Sequence, residues 1–171
     1  PIPQEVVGPD GDAVATEGDI QAGKAAFQQF GLMNQGSILG NGAYFGEDYT
    51  ADALDLKVEY MHEYYAQERH DSSYADLSAE TQAAIAERVK GDLQTGAGDE
   101  SVIEYTAAEV YAHEQVRDVY EQRYYEGERE RGTPAGMIDS AEEARHFADF
   151  ALWTAWASHS ERPGSSHTST N

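Results

Sequence analysis

Two Glu-x-x-His pairs are the sharpest chemical signal in this chain: Glu59 with His62, and Glu143 with His146. At that spacing a carboxylate and an imidazole share one helix face, and two such helices with further carboxylates build a soluble di-iron carboxylate bundle. Glu143 has a second use, because it stands three residues after Ser140 and completes a capping-box pattern. Glu109 and His113, four residues apart, read as a solvated pair on a helix surface. Asp10 and Asp12 open like a calcium loop, but Val14 and Gln21 stand where the fifth and twelfth positions require oxygen ligands. His159 and His167 lie in or beside a polar terminal stretch and read as solvent-exposed. The chain has no cysteine, which removes disulfides, thiolate metal sites, cysteine nucleophiles and covalently attached c-type haem. There is no Gly-x-Ser-x-Gly elbow, HExxH motif or phosphate-binding glycine loop. Two such pairs are no more than chance allows in a chain this rich in Glu, so residue types alone define no active site, and the di-iron bundle stands as the rival reading.

The charge balance narrows the partners. In 171 residues there are 32 acidic side chains against 11 Lys and Arg, a formal charge of −21. Such a surface repels nucleic acid over most of its area. With 40% apolar and 11% aromatic residues the chain carries enough core material to fold, unlike a disordered acidic tail. The pattern reads as halophilic adaptation, with an acidic docking face for a basic partner as the rival.

The elements that must position these groups are mostly helical. Asp19 and Gly31 bound a short helix with Ile20, Gly23, Phe27 and Phe30 on one face. Helices follow over 51–68, with Leu54, Val58, Met61 and Tyr65 facing inward, over 77–93 starting at Ser78, and over 107–125. Ser140 starts the last and most aromatic helix, which runs to about 158. Ser101–Thr106 has strand character. The fold class is all-α with room for one short β-hairpin. An extended N-terminal arm covers 1–17, one helical domain 18–160, and a polar linker 161–171.

Against this acidic background, residues 25–46 contain no Asp, Glu, Lys, Arg or His. A loop rich in Gly and Asn covers 32–50, and an uncharged run of this length is expected to shelter under the domain's own helices or against another protein surface.

Several segments together carry a family resemblance: Pro1–Val7, Gly18–Gly23, Gly36-Ser37-Ile38-Leu39-Gly40-Asn41-Gly42-Ala43-Tyr44, Phe150–Ala157 and Glu161–Ser165. They resemble the quinol-dependent nitric oxide reductases, and within them the water-exposed segment that follows the first membrane helix of the single-chain enzyme. The acidic stretch of about 53–130 matches mainly in helical pattern. The resemblance implies a cytochrome c-like fold lacking haem. The related cytochrome subunit carries Cys-x-x-Cys-His just before its Gly-x-Gly-Ala-Tyr run; the same offset puts Leu32 and Gln35 at the cysteine positions and Gly36 at the histidine. Met137 falls near the second axial position. Leu32, Met33 and Phe45 are expected to fill the vacated volume, and Gly23 and Phe27 to meet Phe150 and Trp153 where the first and last helices cross.

By the same resemblance the complete enzyme belongs to denitrification, taking electrons from a membrane quinol and reducing two NO to nitrous oxide. Its haem b and non-haem iron are bound by membrane helices outside this segment, and the quinol binds elsewhere in the parent. The segment is expected to be soluble, extracytoplasmic and catalytically inactive alone, a structural cap whose partner is the membrane-embedded, haem-containing part of the same chain. Main-chain oxygens of Gly42 and Tyr44 are implied as ligands of a calcium in the full enzyme.

Overall fold

Helix capping sets the frame of the computed structural model, which describes residues 1–43, 46–94 and 101–159. Helix α1 (Glu17–Gln29) begins at Thr16, whose hydroxyl accepts the Asp19 N–H at 3.2 Å while the Asp19 carboxylate accepts the Thr16 N–H at 2.8 Å. Asp19 is thus the third residue of a capping box, where the sequence suggested the cap itself. Helix α2 (Tyr49–His70) is capped by Asp48, and α3 (Ala79–Gln94) follows Ser78, whose hydroxyl accepts the Thr81 N–H at 3.3 Å. Helix α4 (Ala107–Tyr120) widens into a π turn over Glu121–Glu126. Helix α5 (Ala141–His159) starts after Ser140, whose hydroxyl accepts the Glu143 N–H at 3.2 Å and donates to the Glu143 carboxylate at 3.0 Å, half of the expected box.

The first and last helices cross backbone to backbone. A Cβ on Gly23 would stand 1.8 Å from the His146 carbonyl oxygen and 2.8 Å from Phe150 Cβ, so only glycine permits this approach. Phe27 stacks on Phe147 with centroids 6.0 Å apart and touches Phe150 at 5.9 Å. Trp153 lies behind Phe150, stacked at 6.0 Å, so the crossing runs through His146 and Phe150. Helices α2 and α4 pack against α5. Helix α3 covers a second cluster of Met61, Tyr65, Ala66, Ile85, Val89, Ala108 and Ala112.

Strands are short and pair distant segments. Strand β1 (Glu5–Val7) pairs antiparallel with β2 (Ala13–Thr16) and parallel with β6 (Val102–Glu104), in the order β2-β1-β6. The N-terminal stretch therefore folds back as a hairpin over a small core of Val6, Ala15, Ile103 and Tyr105. The segment read as a loop over 32–50 contains a 3-10 turn at Leu32–Asn34 and strands β3 (Gly36–Ile38), β4 (Asn41–Gly42) and β5 (Glu47–Asp48), in the order β4-β3-β5. No helix among the described residues is long and apolar enough to cross a membrane. The linker expected over 161–171, with His167, lies outside the described residues.

Candidate functional site

The positions implied for haem attachment lie between α1 and α2. Leu32 is fully buried, as expected of a space-filling side chain, whereas Met33 is 48% exposed and does not fill the interior. Phe45 lies outside the described residues. Gly36 is buried, and a Cβ there would meet Tyr49 Cζ at 2.5 Å and the Glu47 carbonyl oxygen at 2.6 Å. The Tyr49 ring thus occupies the volume into which a side chain at 36 would project. Its hydroxyl donates to the Leu32 carbonyl at 3.2 Å. Around it, Phe27, Tyr124 and Phe147 make edge-on contacts at 6.1, 6.0 and 5.1 Å, and Tyr120 closes the cluster against Tyr124 and Phe147. The interior is filled by these rings from four helical segments together with Leu32, and not by Met33. Burial pushes the Tyr49 hydroxyl up to about 12 and holds Tyr120 and Tyr124 far above the usual phenol range, so all three stay neutral.

An open cleft of about 470 Å³ remains beside the cluster, lined in part by Gln35, Glu47, Tyr49, Tyr124, Arg131 and Met137. Gln35 and Met137, remote in sequence, therefore do share one cleft. Across it, Arg131 Nη2 donates to both Glu47 carboxylate oxygens, at 2.5 and 2.6 Å. A thioether-bound, histidine-ligated haem does not fit these residues. The chain offers no thiol, position 36 offers no imidazole, and the Tyr49 ring stands against it.

The Gly-rich turn is tightly built. A Cβ on Gly42, at φ 149°, would stand 2.4 Å from the Gly36 carbonyl oxygen, so the strands here meet only through glycine. Asp48 accepts from Gly40 N–H at 2.7 Å, Ser37 hydroxyl at 3.2 Å, Thr50 N–H at 2.8 Å and Ala51 N–H at 3.1 Å. Gly42 is exposed; Tyr44, its implied companion as a calcium ligand, lies outside the described residues. Both carboxylates of β5 are thus engaged within the chain, Asp48 in four hydrogen bonds and Glu47 with Arg131.

The largest departure from the sequence reading is a buried polar network. Glu109 and His113, expected to be solvated, are 3% and 2% exposed. Glu109 accepts from Lys57 Nζ at 2.7 Å, with the ammonium 4.0 Å from the Tyr105 ring centre. His113 Nε2 meets Asp149 Oδ1 at 2.7 Å, and Arg117 Nε donates to the same oxygen at 2.8 Å. Arg117 also donates to the Val14 carbonyl of β2 at 2.8 Å, and His146 Nδ1 lies 3.3 Å from Asp149 Oδ2. Burial alone would raise Asp149, but His113, His146 and Arg117 hold it well below the usual carboxylate range. Burial would lower Lys57, yet Tyr105 and Glu109 hold it above its ordinary value. Burial lowers His113 despite Asp149 beside it. One signal was available: Lys57 falls on the same face of α2 as Ala53, Met61 and Tyr65.

The di-iron arrangement is not formed. His62 stacks on Tyr74 with centroids 4.5 Å apart, Glu59 is exposed, the Glu143 carboxylate accepts from the Ser140 hydroxyl at the start of α5, and His146 joins Asp149. Among the described residues no group of three or more His, Asp or Glu side chains is placed to hold a metal ion. His159 is half-buried rather than exposed, and burial near Lys57 pushes it down to about 4.

A helical domain whose first and last helices cross through a glycine, with α2 and α4 packed against the last helix, has the architecture of a cytochrome c-like domain. The comparison with protein families makes this particular: the model for the NorB cytochrome c-like domain of nitric oxide reductase matches residues 3–171, and the chain belongs to that family. It is accordingly part of a nitric oxide reductase, an oxidoreductase. A comparison with curated proteins gave no match.

Proposed function

We propose that this domain is the haem-free, extracytoplasmic structural cap of a quinol-dependent nitric oxide reductase, which reduces two NO to nitrous oxide at a haem b and non-haem iron pair in its membrane part. The observation that carries the reading is the contact between Gly36 and the Tyr49 ring. Where an axial ligand would be needed, the domain has an aromatic wall, and so no redox centre through which electrons could pass. The hairpin of β3 and β4, within Met33 to Ala43 and exposed at its tip over Leu39 to Gly42, is the face turned to the membrane-embedded part of the same chain. In the complete enzyme Gly42 and Tyr44 contribute main-chain oxygens to a calcium whose charged ligands come from that other part.

Electron-donor assays on the complete enzyme test this directly. Quinol is expected to support NO consumption and reduced cytochrome c to support none. Turnover driven by cytochrome c through this domain would overturn the proposal.

A further inference from the structure

The tip of the hairpin joining β3 to β4 sets its sequence against its backbone. Both loop residues, Leu39 at φ 52° and Gly40 at φ 74°, occupy the left-handed region, as a two-residue hairpin requires. Glycine and asparagine adopt that conformation readily, whereas a leucine there is a steric outlier. Leu39 gains no burial in exchange. At 53% exposure it is the most exposed large hydrophobic residue among those described.

The strained residue is held from two sides. Its N–H donates to Thr50 Oγ1 at 3.1 Å, and the next N–H, of Gly40, donates to Asp48 Oδ2 at 2.7 Å. Thr154 on α5 donates its single hydroxyl proton to the Ala151 carbonyl at 2.7 Å. The Thr50 hydroxyl must therefore be the donor in the buried 2.9 Å contact between the two threonines. A continuous chain of hydrogen bonds thus runs from the exposed tip into the last helix. Strain that is over-determined in this way points to a use outside the fold's own packing.

We infer that Leu39 is the anchor side chain by which the domain docks onto the membrane-embedded remainder of the reductase, with Asp48 and Thr50 as the positioning residues that hold it outward. The inference rests on the docking face proposed above. Met33 to Ala43 carry no ionisable group in a chain of net charge −21, so the complementary surface is neutral and apolar rather than basic. Thr154, which ties the tip to α5, precedes the last described residue of that helix, His159, by about 7.5 Å of helical rise. The tip therefore sits beside the end of the helix from which the rest of the matched domain continues.

Hydrogen exchange over residues 33–43 tests the assignment, comparing this chain alone with the complete enzyme in detergent. The wild-type segment is expected to exchange roughly tenfold or more slowly in the complete enzyme. Leu39→Asn, which relieves the backbone, is expected to raise the melting temperature of the chain by about 2–4 °C and yet abolish that protection. Leu39→Met and Thr50→Ser keep the protection; Thr50→Val loses it. Undiminished protection in Leu39→Asn overturns the anchor while leaving the docking face standing. Equal exchange of the wild-type segment in both samples removes the docking face itself. Protection of the chain alone by neutral phosphatidylcholine vesicles would instead assign Leu39 to lipid, and overturns the inference.

Discussion

Lys57 and Glu109 carry opposite charges at the junction of α2 and α4, 2% and 3% exposed, and neither has water to fall back on. Removing one partner leaves the other buried and uncompensated, which typically costs about 3–5 kcal/mol. Lys57→Met should lose that much in urea unfolding, and adding Glu109→Gln should recover most of it. An additive pair of losses would show that the two groups do not depend on each other. His159 makes a second residue-scale prediction. Its folded value of about 4 lies below the ordinary 6.5, so between those pH values the unfolded chain binds a proton that the folded one refuses. Stability must therefore fall as pH drops through that window, by about 2–3 kcal/mol from this site. His113, also depressed, adds to the fall, and Asp149 adds its own loss at still lower pH; His146, which is raised, works the other way. His159→Gln should flatten the slope measured by urea titrations between about pH 7 and pH 4.5. An unchanged slope would mean that His159 is solvated.

The crossing of α1 and α5 is the element on which the rest of the fold is laid, and it tolerates no side chain at Gly23. The atom a Cβ would meet is backbone, the His146 carbonyl at 1.8 Å, which cannot rotate away. Gly23→Ala should cost about 3 kcal/mol or more in thermal or urea unfolding. Gly91→Ala is the matched control: at this exposed position of α3 a Cβ meets nothing within 4 Å, and the change should stabilise by about 0.5–1 kcal/mol. This crossing was legible in the sequence, because a glycine on an apolar helix face and an aromatic-rich last helix are local signals. The start of α5 was legible too, from Ser140 and Glu143. The parallel pairing of β1 with β6 was not, since it joins Glu5–Val7 to Val102–Glu104 and no local pattern encodes the partner. Nor was the π turn over Glu121–Glu126, which buries Tyr124 and brings Arg123 to within 2.9 Å of Asp52. The polar network stayed hidden for a related reason. Glu109 and His113 at that spacing look alike whether solvent or another helix covers them, and only the tertiary packing of α2 and α5 decides.

For the molecule as a whole, the charge of −21 is the dominant unfavourable long-range term. What compensates it locally is arginine: Arg145 alone bridges Glu114, Asp118 and Glu121 between α4 and α5. Raising KCl from about 0.1 M to about 3 M should increase the melting temperature, because screening removes the repulsion that remains. A flat or falling curve would point to the acidic face as a docking surface for a basic partner.

The haem-free assignment requires that the space beside Gly36 no longer accept a porphyrin. Absorbance after mixing the purified chain with an equimolar amount of haem answers this most directly. We expect the spectrum of free haem, with no sharpened Soret band and no haem retained after gel filtration, because the Tyr49 ring and its aromatic neighbours occupy the interior. Stoichiometric haem retained with a shifted Soret band, lost on Met137→Ala, would contradict it and make the domain a working cytochrome.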